Sequence, residues 1–366
     1  MSRARLDFAA GAPTLPEVAA ALADLPDGNP SSPHAEGRAA RSALDRARDL
    51  AAAALGVQGS EVVFTSSGTE AVGLALLGIR RRLAPGAEVV SWAGEHQAVL
   101  GCLRRLQLEG TSVTILGIDS GGRARLGDFP PAAGLVSASL ANNEVGSVQP
   151  LGEITEAAEG ALLHLDCCQG PQWLTPDLEA VDLASFSGHK LGAGAGGLLF
   201  VRDGVRLDPL FEGGPQQRGL RPGWEDVRTA TAVAVALDVC ARSRAGWAHR
   251  AGPLAARLRE ALVAAGGVLT GGPLLLANHA SAVFPGLRGE DLLLALDMDG
   301  VAASSGSACA SGSLDPSHVL LAIGFSLEDA LGGLRLTVGP ATTPAEVEQG
   351  CAALEMAVGR LRGARA

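Results

Sequence analysis

Residues 161–201 have the sequence ALLHLDCCQG PQWLTPDLEA VDLASFSGHK LGAGAGGLLF V, in which two short apolar runs enclose a segment of small and polar residues. The two runs, residues 161–165 and 197–201, are apolar on both parities, which is typical of strands buried on both faces of a sheet. Alanine- and leucine-rich stretches that favour helices, such as residues 42–55 and 154–161, alternate with runs of this kind. The other runs are residues 61–64, 88–91, 112–116 and 135–140. This alternation predicts an α/β fold with a mostly parallel sheet.

Length and composition limit the kinds of protein that this chain can be. It has 366 residues, of which 47% are hydrophobic and 19% are charged, so it has enough apolar material for a core and is unlike disordered proteins. Acidic residues outnumber basic ones by 39 to 29, which argues against nucleic acid as a partner. No apolar stretch approaches the roughly 18 residues of a membrane span, and the N-terminus lacks a signal-peptide pattern. We therefore expect a cytoplasmic protein that binds neither nucleic acid nor a membrane.

The cysteines and the basic residues both have unusual distributions. The six cysteines show no paired C-x-x-C spacing, so we expect neither a metal site nor a disulfide framework. Tyrosine is absent, and all but one of the 29 basic residues are arginines, the exception being Lys190. A guanidinium stays protonated and cannot act as an amine nucleophile. If this protein forms an imine with a carbonyl compound, Lys190 forms it.

The surroundings of Lys190 suit a cofactor-binding lysine. It ends the sequence SFSGHK (185–190) and precedes a glycine-rich run, and glycines allow the backbone to approach a flat ring closely. An imine with pyridoxal phosphate requires a lowered amine pKa, which desolvation or a nearby positive charge provides. The alternative is an ordinary surface lysine. That this lysine is the only one in the chain favours the cofactor-binding interpretation.

The segment FTSSGTEA (64–71) leads a predicted strand into a helical pattern through small hydroxyl-bearing residues. Backbone N–H groups and the positive end of a helix dipole make such a turn suitable for binding a phosphate. The commoner explanation for Ser and Thr before a helix is simple N-capping. By itself, this segment does not decide between the two.

Three further predicted strands end in polar side chains. Asp166 follows one strand, and a carboxylate there can keep a pyridinium nitrogen protonated, although it can equally cap the next turn. His96 follows another strand and suits proton transfer or stacking on a ring, and the amides of Asn142 and Asn143 follow a third. Each residue is more often structural when it occurs alone. Since the carboxyl ends of four strands carry such groups, we expect one shared site.

Cys309 differs from the other cysteines because it lies among small residues, in ASSGSACASG (303–312). Most free cysteines are buried packing residues, and we expect this of Cys102, Cys240 and Cys351, which lie in helix-like surroundings. The residues around Cys309 cannot build a core and are typical of a loop. A thiol on a water-accessible loop suits a nucleophile that attacks a substrate and then carries the product away.

In their order and combination these residues resemble the cysteine desulfurases, pyridoxal-phosphate enzymes of the class V aminotransferase group. The similarity covers nearly the whole chain. It includes GNPSSPH (28–34), the 64–71 turn, EHQAVL (95–100), NNEVG (142–146), DCCQ (166–169), SGHK (187–190), GGPQQRGLR (213–221), SSGSACASG (304–312), PSHVL (316–320) and LRLT (334–337).

The resemblance implies the fold of type I pyridoxal-phosphate transferases. A large domain with a mostly parallel sheet flanked by helices is then expected over residues 15–250. Residues 1–14 together with residues 251–366 are expected to form a smaller α+β domain that carries the catalytic cysteine loop. The residues themselves also indicate this division, since a long helical pattern over about residues 227–244 is followed by a second alternation of strand and helix patterns from residue 251 to the C-terminus.

The resemblance also implies pyridoxal 5'-phosphate as the cofactor and L-cysteine as the substrate, with Lys190, Cys309 and His96 as catalytic residues. The implied cofactor-binding residues are Gly68, Thr69, His96, Asn143, Asp166, Gln169, Ser187, His189 and Lys190. Of these, Asp166 binds the pyridine nitrogen, Gln169 the phenolic oxygen, and Gly68, Thr69, Ser187 and His189 the phosphate. Asn143 and Arg335 bind the substrate carboxylate, and a guanidinium suits this role because it binds carboxylates through two parallel hydrogen bonds.

In the implied reaction, Cys309 attacks the sulfur of bound cysteine, which leaves alanine and a persulfide on the enzyme. The resemblance further implies a homodimer that delivers sulfur to an acceptor protein for iron–sulfur cluster or other thio-cofactor assembly. A selenocysteine lyase or an aminotransferase on the same fold is an alternative. Another is a non-catalytic scaffold homologue, because Trp224 stands where the family usually has a threonine that reaches the phosphate of the neighbouring subunit.

Overall fold

The computed structural model describes residues 3–305 and 315–363. The strands are β1 (Ala4–Arg5), β2 (Val62–Thr65), β3 (Glu88–Trp92), β4 (Ser112–Leu116), β5 (Ala133–Ser139), β6 (Leu162–Asp166), β7 (Leu183–Ser187), β8 (Gly197–Val201), β9 (Val268–Leu269), β10 (His279–Val283), β11 (Val301–Ala302) and β12 (Gly333–Thr337). The helices are α1 (Pro16–Ala21), α2 (Ala35–Leu55), α3 (Gly68–Gly78), α4 (Gln97–Leu108), α5 (Leu151–Ala157), α6 (Gly188–Leu191), α7 (Val227–Ala264), α8 (Gly289–Met298), α9 (His318–Ala322), α10 (Leu327–Ala330) and α11 (Pro344–Gly363).

A seven-stranded sheet with the order β2-β8-β7-β6-β5-β3-β4 forms the centre of the larger part of the molecule. Strands β3 to β7 pair in parallel, whereas β8 is antiparallel to both of its neighbours, β7 and β2. The predicted α/β fold with a mostly parallel sheet is therefore confirmed. Because β2 runs in the same direction as β3 to β7, the carboxyl ends of six strands lie along one edge of the sheet.

Helices cover both faces of this sheet, as the apolar strands require. Val62 and Phe64 of β2 pack on one face in a cluster with residues of α2 and α7. Val63, between them, points to the other face and packs in a cluster with residues of α3 and α4. This alternation shows why these strands are apolar on both parities.

Two strands differ from the sequence-based prediction of this sheet. The edge strand β4 is only partly covered, since Ile115 is 44% exposed, so the expectation that every strand is buried on both faces is wrong for β4. β7 was not predicted, because Ser185 and Ser187 interrupt its apolar pattern. Both serines are buried, and Ser185 Oγ is 2.8 Å from His164 Nε2, so a hydrogen bond makes the burial of its hydroxyl tolerable.

A second set of strands packs against the carboxyl-terminal helices. Strands β12, β10 and β9 form an antiparallel sheet, and β1 pairs with β11 in parallel. Apolar side chains of β1, β10, β11 and β12 share a buried cluster with residues of α8, α11 and the second half of α7, whereas Val268 and Leu269 of β9 are exposed. The first residues of the chain are therefore packed with the last third of it, through the pairing of Ala4 with Val301.

α7 is longer than predicted and continues to Ala264 as a 38-residue helix that includes Pro253. A proline inside a helix costs about 3 kcal/mol, since it removes a backbone hydrogen bond. The apolar pattern nevertheless resumes after the proline, with Ala255, Leu258 and Leu262 all fully buried. We infer that this packing outweighs the cost of the proline. α7 crosses residue 250, the predicted end of the large domain, without a break. The predicted domain boundaries stay a prediction.

The α-helices of the described residues range from 4 to 38 residues in length. None of them combines the length and the apolar character that crossing a bilayer requires.

Candidate active site

The turns that follow β2, β3, β5, β6 and β7 enclose a cavity of about 350 Å³ at the carboxyl edge of the large sheet. Such an edge is where open α/β sheets bind ligands. Every predicted cofactor- and substrate-binding residue lines it, namely Gly68, Thr69, His96, Asn143, Asp166, Gln169, Ser187, His189, Lys190 and Arg335. The individual roles given to these residues stay predictions. Cys309 lies outside the residues that the structure describes.

Lys190 reaches this cavity from α6, directly after β7. The turn requires glycine: a Cβ on Gly188 would overlap the carbonyl oxygen of Ala195, and Gly188 N donates a hydrogen bond of 2.8 Å to Gly196 O. The Nζ of Lys190 donates a hydrogen bond to the carbonyl oxygen of Ala9 in the N-terminal segment. The amine of Lys190 is therefore held in the cavity by backbone of the N-terminal segment.

The predicted phosphate turn lies at the amino end of α3, where Ser67 Oγ accepts a hydrogen bond from Glu70 N. A Cβ on Gly68 would lie 2.5 Å from Cys168 Sγ and 2.8 Å from Ser187 Cβ, so the turn packs directly against the motifs after β6 and β7. The partly positive amino end of an eleven-residue helix thus faces the cavity. This arrangement fits the phosphate of the implied cofactor.

His96 has a defined orientation because it caps α4. Its Nδ1 accepts a hydrogen bond of 3.1 Å from Ala98 N, which assigns the ring proton to Nε2 when the ring is neutral. Burial lowers the pKa of His96, and the positive charge of Lys190 lowers it further, although the carboxylate of Asp166 opposes both effects. A neutral His96 with a proton on Nε2 can exchange protons near neutral pH.

Asp166 and Gln169 form the wall of the cavity at the end of β6. Asp166 is buried, and its Oδ1 accepts a hydrogen bond of 2.9 Å from Cys168 N. Gln169 is also buried, and its Oε1 has no hydrogen-bond partner within the described residues. Since a buried polar atom without a partner costs about 1–3 kcal/mol, a polar group of a ligand is expected beside Gln169. A buried carboxylate fits the protonated ring nitrogen of pyridoxal phosphate, and the unpartnered Oε1 of Gln169 fits a ligand group that donates a hydrogen bond.

Arg335 extends into the same cavity from β12 and is almost completely buried. Its Nη1 donates a hydrogen bond of 2.7 Å to the carbonyl oxygen of Asn143, and its Nη2 donates one of 2.9 Å to Asp7 Oδ1. Its Nε is buried and has no partner within the described residues. Arg335 therefore keeps a hydrogen-bond donor for a ligand.

The structure places further polar residues around this site that the sequence did not identify. Burial and, secondarily, the charge of Asp166 raise the pKa of Glu95 to about 8, and burial raises that of Glu144 to about 7. Glu144 accepts a hydrogen bond from Ser317, which caps α9. Asp7 pairs with Arg335 across 328 positions of the sequence. Glu95 and Glu144 belong to quoted motifs and could have been suspected from them, whereas no pattern linked Asp7 to the site.

The remaining cysteines have unreactive surroundings. All five cysteines in the described part of the chain are free, and burial raises the pKa of each of their thiols. These residues are Cys102, Cys167, Cys168, Cys240 and Cys351. Each therefore stays protonated at neutral pH and is a poor nucleophile. Within the described residues, no group of His, Cys, Asp or Glu side chains is arranged to hold a metal ion.

Comparison with known proteins agrees with this geometry. The model of the class-V aminotransferase family matches residues 4–349. The chain belongs to this family. An IscS-like cysteine desulfurase of Mycobacterium tuberculosis is 38% identical to it, over 99% of this chain and 98% of that protein. Cysteine desulfurase IscS 1 of Archaeoglobus fulgidus is 36% identical, over 92% of this chain and 91% of that protein.

The fold is shared with solved structures as well. A NifS-like protein superposes with a TM-score of 0.91 at 29% identity, over 98% of this chain and 100% of that one. The resemblance to cysteine desulfurases that the motifs indicated is confirmed. Like its family, the chain is pyridoxal-phosphate dependent, and its buried Asp166 and the amino end of α3 fit that cofactor.

Proposed function

We propose that this protein is a cysteine desulfurase, which converts L-cysteine to L-alanine and transfers the sulfur to Cys309 as a persulfide. The observation that carries the proposal is that the sole lysine and a buried arginine with an unpartnered donor line one cavity. An amino-acid substrate needs both, since its amino group reacts at the cofactor and its carboxylate requires a cation.

Pyridoxal phosphate, when bound, acts as an electron sink for negative charge that develops next to the substrate's amino-bearing carbon. Lys190 provides the amine that holds it, and Asp166 provides the negative charge that its ring nitrogen needs. Arg335 binds the substrate carboxylate and so orients the substrate. His96 exchanges a proton through Nε2, because its Nδ1 is occupied by Ala98 N.

The sulfur transfer itself requires a thiolate that can reach the substrate. The C–S bond of cysteine breaks, an S–S bond to Cys309 forms, and a proton is delivered to the former sulfur-bearing carbon, which yields alanine. Because the pKa is raised for every described cysteine, none of these five competes for this role at neutral pH. The small residues around Cys309 are consistent with access to the cavity.

The homodimer, the acceptor protein and the cytoplasmic location are parts of the same proposal. The names of the relatives support a role in sulfur supply, and we propose that the persulfide is passed on for iron–sulfur cluster or other thio-cofactor assembly. The exposed side chains of Phe211 and Trp224 are consistent with a contact between two copies of the chain. The division into two domains, at about residue 250, also stays a proposal.

The test is incubation of the reconstituted protein with L-cysteine and a reductant, with alanine and sulfide measured together. We expect the two products in equal amounts, and we expect Cys309→Ala to lower the rate of alanine release by at least about tenfold while the cofactor stays bound. Cys240→Ala, which changes a buried thiol, is the matched control and leaves the rate unchanged.

The alternatives predict different outcomes when the same experiment is repeated with a keto acid added or with L-selenocysteine in place of L-cysteine. An aminotransferase consumes a keto acid and is indifferent to Cys309→Ala. A selenocysteine lyase releases alanine from selenocysteine but not from cysteine. A non-catalytic homologue releases no alanine from either substrate.

A further inference from the structure

We propose that Asp7 is a positioning residue that holds the guanidinium of Arg335 in the orientation that binds the substrate carboxylate. The proposal rests on the proposed function, because it concerns the amino-acid substrate of the same cavity. Asp7 lies near the start of the chain and its side chain is 25% exposed, whereas that of Arg335 is 4% exposed.

The backbone of Arg335 is fixed on both of its sides. It pairs with Ser281 of β10 on one side, and on the other it exchanges two hydrogen bonds with Ser304, of 2.7 and 3.1 Å. The position of the Cα is therefore set by the sheet. The direction of the long side chain depends on what its far end contacts.

Two oxygens hold that far end. Asp7 Oδ1 accepts from Nη2 at 2.9 Å, and the carbonyl oxygen of Asn143 accepts from Nη1 at 2.7 Å. The Nε has no partner among the described residues although it is buried. A planar guanidinium whose Nη1 and Nη2 each donate to a fixed acceptor keeps its remaining N–H bonds in fixed directions, and this pre-orientation favours binding of a carboxylate.

Asp7 is itself held firmly. On one side of it, Leu6 O accepts a hydrogen bond of 2.7 Å from Thr337 N, and on the other, Ala9 N donates one of 2.9 Å to Thr337 Oγ1. The same segment supplies Ala9 O as the acceptor for Lys190. Residues 7–9 thus contact both Arg335, the proposed partner of the substrate carboxylate, and Lys190, the proposed partner of the cofactor.

The carboxylate of Asp7 has two opposite effects on ligand binding, and substitutions separate them. Its negative charge opposes an incoming carboxylate, so removal of the charge alone strengthens binding. Its oxygen orients the guanidinium, so removal of the oxygen weakens binding. Asp7→Asn removes the charge and keeps an acceptor oxygen, whereas Asp7→Ala removes both. A positioning role predicts that the two variants differ.

The experiment measures dissociation constants by titrating the absorbance of the cofactor-loaded protein. L-Alanine is the ligand with a carboxylate, and L-alaninamide, which carries an amide in its place, is the reference. We expect Asp7→Ala to weaken L-alanine binding about tenfold and to leave L-alaninamide binding unchanged, whereas Asp7→Asn binds L-alanine as tightly as the unchanged protein or up to about threefold more tightly. In an Arg335→Ala background, Asp7→Ala has no further effect.

Asp297→Ala is the matched control. Asp297 forms an exposed ion pair with Arg3, which lies in the same N-terminal segment as Asp7. It leaves both dissociation constants unchanged. Asp7→Ser removes the same contact and replaces Asp7→Ala if the alanine variant does not fold. Unchanged or tighter L-alanine binding in Asp7→Ala, equal losses for both ligands, or equal losses in Asp7→Ala and Asp7→Asn would overturn the proposal.

The same titrations keep this proposal separate from the proposed function. Binding of L-alanine does not require desulfuration. If the protein releases no alanine from cysteine, the proposed function fails, while the comparison of L-alanine with L-alaninamide still decides the role of Asp7.

Discussion

At the scale of single residues, the imidazole of His96 shows how a backbone contact selects the atom that is available for chemistry. Its Nδ1 caps α4, and burial lowers its pKa. The ring is therefore neutral at pH 7 and carries its proton on Nε2. One residue both begins a helix and provides the proposed proton carrier of the site.

Substitution of His96 by asparagine separates these two roles. Asparagine is also a good N-cap, so α4 is expected to keep its start, whereas the proton carrier is lost. We expect His96→Asn to lower kcat for alanine release by about 100-fold or more, with an unchanged midpoint of thermal unfolding. A kcat within about twofold of that of the unchanged protein contradicts the role of His96.

Glu95 is a second residue whose surroundings have a measurable effect. Burial raises its pKa to about 8, so the folded state binds a proton that the unfolded chain releases at a lower pH. The contribution of Glu95 to the free energy of unfolding is fully present below the ordinary pKa of a glutamate, and it is lost as the pH rises through about 8. Because the protonated form of Glu95 is neutral, it places no second negative charge near the buried carboxylate of Asp166.

We therefore expect Glu95→Gln to flatten the decline of the unfolding free energy between pH 5 and pH 9. At pH 9 the variant should exceed the unchanged protein by at least ~1 kcal/mol, since a neutral amide has no proton to lose. Denaturant unfolding at several pH values measures this. Glu348→Gln, at an exposed ion pair, is the control. Parallel pH profiles for the unchanged protein and Glu95→Gln would show that Glu95 is not protonated in the fold.

At the scale of elements, the amino end of α3 depends on close packing with two other motifs. A Cβ on Gly68 would lie within 2.8 Å of both Cys168 Sγ and Ser187 Cβ. Gly73, in the same helix, has space for a methyl group, since its nearest contact would be 3.6 Å away. The two glycines therefore differ in their tolerance of alanine.

We expect Gly68→Ala to weaken pyridoxal-phosphate binding by about tenfold or more, because the turn that fits the phosphate must shift. Gly73→Ala is expected to leave the affinity unchanged and to increase stability by roughly 0.5–1 kcal/mol, as alanine favours a helix. Absorbance titration with the cofactor measures the affinity. Equal affinities for the two variants would place the phosphate away from α3.

Elements also show what the sequence can and cannot predict. The buried strands were predictable because their apolar residues are continuous in the chain. β7 was not, because the hydroxyl of Ser185 is accommodated by His164 of the neighbouring β6, and the second half of α7 was not, because its packing outweighs Pro253. Both exceptions depend on contacts with residues that are distant in the sequence.

At the scale of the whole molecule, the parallel sheet explains why the site itself was predictable. Each motif directly follows a strand, and the parallel strands bring these ends to one edge. Asp7 and Ala9 follow no such strand, since they reach the site by packing of the first residues against β12. Their contribution comes from the tertiary fold, and a single sequence carries no pattern for it.

Also at this scale, the chain contains one lysine among 366 residues, so one substitution removes every side-chain amine. Lys190→Arg keeps the positive charge and removes only the amine nucleophile. The most direct test of the proposed cysteine desulfurase is the release of alanine from L-cysteine by the cofactor-loaded protein and by Lys190→Arg. We expect alanine from the unchanged protein and none above background from Lys190→Arg. Equal alanine release by both, or none from the unchanged protein, would contradict the account.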